Sequence, residues 1–95
     1  MQYNMKACVA KFGDIARAMG VDTQGMTADQ AAQAAVDAVK ALAIKVGIPQ
    51  KLSELGVKEE GLQALAESAF ADVCTPGNPC DTCVKDILEL YRSVY

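Results

Sequence analysis

No histidine and no tryptophan occur among these 95 residues. Histidine is the commonest metal ligand and the commonest general base near neutral pH. Its absence excludes Ser–His and Cys–His nucleophilic pairs and His-based metal sites within the chain. Catalysis by Asp, Glu, Lys, Tyr or Cys stays open. Aromatic residues are only 5% of the total, namely Tyr3, Tyr91, Tyr95, Phe12 and Phe70. They form no stacking platform for nucleic-acid bases. The seven glycines stand singly, so no glycine-rich phosphate loop is present. Nine Lys and Arg against 12 Asp and Glu leave a formal charge of −3, with no basic run. Nucleic acid, which recruits clustered positive charge, is not an expected partner. No apolar stretch approaches the ~20 residues of a membrane span, and the opening MQYNMKACVAKFG lacks the apolar core of a signal peptide. No membrane partner is expected, and the expected location is the cytoplasm.

What is present is a globular composition, 52% hydrophobic and 22% charged. The length suits one domain, and a chain this small buries only ~60–65% of its unfolded surface. Alanine clusters in 28–43 and 64–71 and has the highest helix propensity. No β-branched alternation marks a strand. The expected fold is all-α, about five helices in a single helical domain or subdomain over 1–95.

A first helix is expected from residue 5 or 6 to Met19, with Phe12, Ile15, Ala16 and Met19 on one face and Gly20 as its stop. Thr27 with Gln30 three residues on is a capping box for the second helix. Its stripe is Ala32, Val36, Val39, Ala43 and Val46, joined by Ala35 and Leu42, and Gly47 with Pro49 ends it. Pro49 suits the first position of a short third helix carrying Leu52 and Leu55 and closed by Gly56. A fourth helix begins near Lys58 or Glu59, with Gly61 inside it and Leu62, Leu65, Ala66, Ala69 and Val73 as its buried stripe. Residues 74–79 (CTPGNP) are a break. The last helix starts between Asp81 and Cys83 and presents Val84, Ile87, Leu88, Tyr91 and Val94.

Four cysteines are the main chemical feature. In an unsecreted chain they are expected as free thiols. Cys80 and Cys83 form a CxxC, the spacing used by redox and metal-binding thiols. A thioredoxin-like site needs a βαβ setting that is lacking, and a zinc site needs a second ligand pair. Cys8 and Cys74 could supply that pair only by a particular fold. Cys74 reads as a small apolar residue at a helix end or as the lining of a cleft. The acidic pairs Glu59–Glu60 and Asp86/Glu89 read as solvated charge. Catalytic, cofactor-binding and metal-ligating residues are therefore all expected to be none.

Three stretches carry more information in their order than any motif does alone. They are KFGDIARAMGVDTQGM, AAVDAVKALAIKVGIPQKLSELGVKEEGLQALAESAFADVCTPGNP and DILELYRSVY. Together they resemble the C-terminal end of the iron-containing, NAD-dependent alcohol dehydrogenases. The most specific parts are 46–57 (VGIPQKLSELGV) and 72–79 (DVCTPGNP). The resemblance implies a parent enzyme about four times longer, in which an α/β dinucleotide-binding domain precedes the helical domain. It implies iron held by one Asp and three His, and NAD held by a glycine-rich loop, all at positions preceding those matched here. This chain would then be the helical fragment of a hydride-transferring enzyme, without metal or NAD of its own and inactive alone. Its expected partners are the missing N-terminal dinucleotide-binding domain and, through uncovered apolar faces, further copies of itself. The resemblance also implies that the 72–79 loop lies near the interdomain cleft, with Cys74 lining the substrate pocket in a non-catalytic role. It places an Arg where Cys80 stands and a helix-opening Thr where Cys83 stands, with Asp86 retained. Cysteine caps helices poorly, so Asp81 or Thr82 is expected to cap the last helix. A free-standing helical interaction module, and a CxxC redox or metal protein, are the alternatives.

Overall fold

In the computed structural model, which describes Met1–Tyr95, helices and turns account for the fold and no strand forms. Four α-helices are α1 (Val9–Ala18), α2 (Ala28–Lys45), α3 (Leu62–Ala71) and α4 (Val84–Ser93). Short 3-10 segments lie at Gln2–Ala7, Leu52–Leu55, Glu59–Gly61 and Thr75–Gly77. The all-α expectation holds. Its third helix is the 3-10 turn Leu52–Leu55. The chain divides into two compact units, Met1–Ile48 and Pro49–Tyr95.

In the first unit, α2 opens as its capping box requires. The Gln30 N–H donates to Thr27 Oγ1 at 3.2 Å and the Thr27 N–H to Gln30 Oε1 at 2.9 Å. α1 and α2 both end in Schellman turns. The Val21 N–H reaches the Ala16 carbonyl and the Ile48 N–H the Ala43 carbonyl. Each turn passes through a glycine at positive φ, Gly20 at 85° and Gly47 at 82°. The seam between the helices is Phe12 and Ala16 against Ala32 and Ala35, with Met5, Cys8, Val9, Ile15 and Val21 around it. Small residues let the backbones approach: a Cβ on Gly13 would sit 3.7 Å from that of Ala31.

α1 starts at Val9, later than residue 5 or 6, because Cys8 leaves helical geometry at φ −136°, ψ 33°. The preceding residues coil as a 3-10 segment instead. That path brings Met5 and Cys8 onto the Phe12 cluster. It also pairs the Gln2 and Gln33 amides reciprocally at 3.1 Å. The expected stripes fade toward their ends. Met19 is 38% exposed, and in α2 Ala32 and Ala35 are buried whereas Leu42 and Val46 are 46% and 63% exposed. Length explains this: 10 residues of α1 span ~15 Å and 18 of α2 span ~27 Å, so the end of α2 overhangs α1.

In the second unit, the expected helix start at Pro49 is replaced by a 3-10 turn capped at Lys51. Its leading donors are satisfied by the chain's far end. The Leu52 N–H donates to the Val94 carbonyl at 2.8 Å and Ser53 Oγ to the Tyr95 carbonyl at 2.6 Å. Gly61 lies in the 3-10 turn leading into α3, outside the α-helix itself. Leu62 and Ala66 of the α3 stripe are buried, but Leu65 is 41% exposed. Val73 is 92% exposed, because Asp72 turns extended at φ −62°, ψ 135° and takes it out of helical register. No polar or charged side chain is buried in either unit.

Candidate functional site

The segment 72–83 between α3 and α4 is irregular but closely hydrogen-bonded. Asp72 Oδ1 accepts the Cys74 N–H at 2.8 Å, an Asx turn that sets the direction of the chain as it leaves α3. Thr75 Oγ1 donates to the Ala69 carbonyl at 2.5 Å, covering one of the carbonyls that a helix end leaves free. Pro76 is the second residue of the 3-10 turn Thr75–Gly77, and Asn78 Nδ2 donates to the Cys80 carbonyl at 2.8 Å. Polar side chains bonded to local backbone hold this loop, so its shape does not depend on a large core beneath it.

Cys74 stands at the start of the 3-10 turn with its side chain exposed. Val73 beside it is the most exposed large apolar residue of the chain. A neighbouring open concavity of about 360 Å³ is lined by Phe70, Thr75, Pro76, Cys80, Asp81 and Thr82. The loop thus places hydroxyls, a carboxylate and apolar surface close together, with Cys74 outside that lining. The sequence reading missed Val73, Phe70 and Thr75 as features of this loop. The available signal was the Asp72/Thr75 spacing around a Pro-Gly turn.

The CxxC is divided between two environments. Cys80 is 8% exposed in the wall of the concavity, and Cys83 is exposed at the N-cap of α4. The expectation that Asp81 or Thr82 would cap this helix is corrected: Cys83 does so. Its N–H donates to Asp86 Oδ2 at 3.3 Å, and its side chain faces the Asp86 N–H to complete a capping box. Asp86 therefore has a structural task, whereas Glu59 and Glu60 lie exposed in the first turn of their 3-10 segment.

No three or more acidic or thiol side chains come together in a group able to hold a metal ion. With no histidine either, the residues of this chain do not fit an iron site. No strand leads into a helix through clustered glycines, the arrangement of a Rossmann-type dinucleotide site.

Comparison with known proteins decides the lineage. The family model for the C-terminal part of the Fe-containing alcohol dehydrogenases matches residues 1–95. The chain belongs to the iron-containing alcohol dehydrogenases. It is similar to lactaldehyde reductase of Escherichia coli (strain K12), with 47% identity over 95 residues, covering 100% of this chain and 25% of that protein. A 1,3-propanediol dehydrogenase of Citrobacter freundii is 39% identical over 94 residues, covering 99% and 24%. The crystal structure of a 1,3-propanediol oxidoreductase superposes with a TM-score of 0.96 at 36% identity, over 99% of this chain and 25% of that one. The chain therefore spans about a quarter of the length of these relatives and corresponds to the C-terminal helical region of the family.

Proposed function

We propose that this chain is the C-terminal helical portion of a cytoplasmic, NAD-linked dehydrogenase that interconverts a small alcohol and its aldehyde. The match of all 95 residues to the family's C-terminal model carries this reading. Lactaldehyde and 1,3-propanediol, named in two relatives, are three-carbon molecules with a terminal oxygen function, which supports a substrate of that size. Iron, in such a parent, supplies Lewis-acid polarisation of the substrate oxygen. The residues of this chain supply packing and shape. The apolar end of α2, with Leu42 and Val46 uncovered, fits a helix that packs on the missing N-terminal part of the parent. The rigid loop at 72–79 borders the interdomain cleft, and Cys74 lines the substrate pocket there without taking part in bond making.

The test is a chimera in which this chain replaces the matching last quarter of the Escherichia coli lactaldehyde reductase. NADH-dependent reduction of lactaldehyde is expected to persist in the chimera. A folded, iron-loaded chimera without activity would refute the reading. In the active chimera, Cys74→Phe is expected to raise KM for lactaldehyde about tenfold while kcat changes less than threefold, as for a wall residue that touches substrate equally before and during reaction. The 95-residue chain alone is expected to show no stoichiometric binding of Fe²⁺, Zn²⁺ or NAD by isothermal titration.

A further inference from the structure

Cys74 is held by bonds to its backbone rather than by packing. Its side chain is exposed, Val73 before it is exposed, and the buried residues of α3, Leu62 and Ala66, lie well before the helix end. Both of its peptide groups are nevertheless engaged. Asp72 Oδ1 accepts the Cys74 N–H at 2.8 Å, and the Cys74 carbonyl accepts the Gly77 N–H at 3.1 Å. Thr75, next in the chain, donates its N–H to the Asp72 carbonyl at 3.1 Å and its hydroxyl to the Ala69 carbonyl at 2.5 Å. The hydroxyl bond fastens the loop to the last turn of α3. Asp72 is exposed and in no ion pair, since the chain's ion pair joins Asp14 and Arg17. The Cys74 N–H is thus what its carboxylate holds.

We propose that Asp72 is a positioning residue for the substrate pocket: it sets where Cys74 stands, and so which length of aldehyde the pocket admits. The inference rests on the reading that Cys74 lines that pocket. Asp72 itself touches no substrate. An Asx turn fixes the backbone between Asp72 and Cys74, which no buried side chain fixes here. On a packed seam, neighbouring contacts absorb the loss of one hydrogen bond. In this loop the loss leaves the exposed Val73–Cys74 stretch free to swing. Thr75 acts from the other side, because its hydroxyl ties the residue after Cys74 to the end of α3. Both bonds lie within the loop and α3, so they act whatever lies opposite. A wall that can shift loses contact with the small substrate it fitted and makes room for a longer one. Discrimination between aldehydes that differ by methylenes depends on that fit. The bond-making step does not.

The test uses the iron-loaded chimera described above, with lactaldehyde and the longer pentanal as substrates. Asp72→Ala is expected to raise KM for lactaldehyde about fivefold, with kcat within about twofold of the unsubstituted chimera. The ratio of kcat/KM for lactaldehyde over pentanal is expected to fall about threefold, because the longer aldehyde gains the room. Asp72→Asn keeps the acceptor oxygen and is expected to restore both values. Thr75→Val is expected to move the ratio in the same direction, and Thr75→Ser to leave it in place. A purely structural role would lower the active fraction, and hence kcat, on both aldehydes alike without moving the ratio. Amide hydrogen exchange reads the bond itself: at Cys74 it is expected to be about fivefold faster in Asp72→Ala and unchanged in Asp72→Asn. Unchanged exchange in Asp72→Ala overturns the proposal. Faster exchange with an unmoved ratio also overturns it, and Cys74→Phe then decides whether the pocket reading falls with it. That reading falls if Cys74→Phe leaves KM unchanged and stands if KM rises.

Discussion

The units Met1–Ile48 and Pro49–Tyr95 are almost equal in length but are held in different ways. The first is two helices along one seam, with a single aromatic, Phe12, wedged among alanines. The second has two ten-residue helices and three 3-10 turns, and of its large side chains only Leu62 is fully buried. α3 packs on α4, Ser53 ties the first turn to the Tyr95 carbonyl, and polar bonds to local backbone at Asp72, Thr75 and Asn78 shape the loop between the helices. The unit with the cleaner helices carries no candidate site. The unit with the thinner core carries the loop. A loop shaped by local hydrogen bonds can leave Val73 and Cys74 exposed without losing its form, whereas residues on a packed seam cannot be spared for contact with anything else.

Removing the anchor of each unit should give the largest effects. Phe12→Ala is expected to cost about 3–4 kcal/mol and Leu62→Ala about 2–4 kcal/mol, read from urea unfolding followed by far-UV circular dichroism. Amide hydrogen exchange should show the first loss in α1 and α2 and the second in α3 and α4. Equal acceleration in both units by either variant would erase the distinction. Next come the caps. Thr27→Ala removes a hydroxyl cap from the longest helix and is expected to cost about 1 kcal/mol. Cys83→Thr puts a better acceptor in the same geometry and is expected to stabilise α4 by up to about 0.5 kcal/mol, with Asp86 as its partner in both cases. If Thr27→Ala were silent, the first unit would owe its order to the seam alone. The smallest effect is Gly13→Ala, expected to add about 0.5 kcal/mol in thermal melts. Helix propensity gains up to about 1 kcal/mol, and the new Cβ meets Ala31 at ordinary contact distance. Destabilisation instead would mean that the seam is closer-packed than 3.7 Å implies.

Much of the fold was legible in the residues. The Thr27/Gln30 box, the stops at Gly20, Gly47 and Gly56 and the half-buried α4 stripe from Val84 to Tyr91 all act over a few residues and appear where they were expected, whereas Val94, the last member of that stripe, lies past the helix end and is 45% exposed. The order of the short stretches also pointed to the right family. The misreadings share one origin. Helical periodicity counts apolar residues but does not say whether another element lies opposite them. Leu42, Val46, Leu65 and Val73 all fit a stripe, and all are exposed. Pro49 is a good helix opener, but the N–H groups of Leu52 and Ser53 are taken up by carbonyls some forty positions away. Cys83 was passed over as a cap because of its side-chain type, although its position three before Asp86 was right.

Local chemistry was thus written in the chain itself: helix ends, turns, the all-α character, the lack of histidine and the family lineage. Each depends on residues close in sequence or on their order, and neither needs the rest of the molecule. Burial and the character of the loop came from three-dimensional packing. Which alanines meet Phe12, why α2 outruns α1 and why Val73 faces outward depend on helix lengths and on contacts between segments far apart in the chain. Apolar surface is stabilised only when something covers it, and a sequence pattern shows the surface without showing the cover.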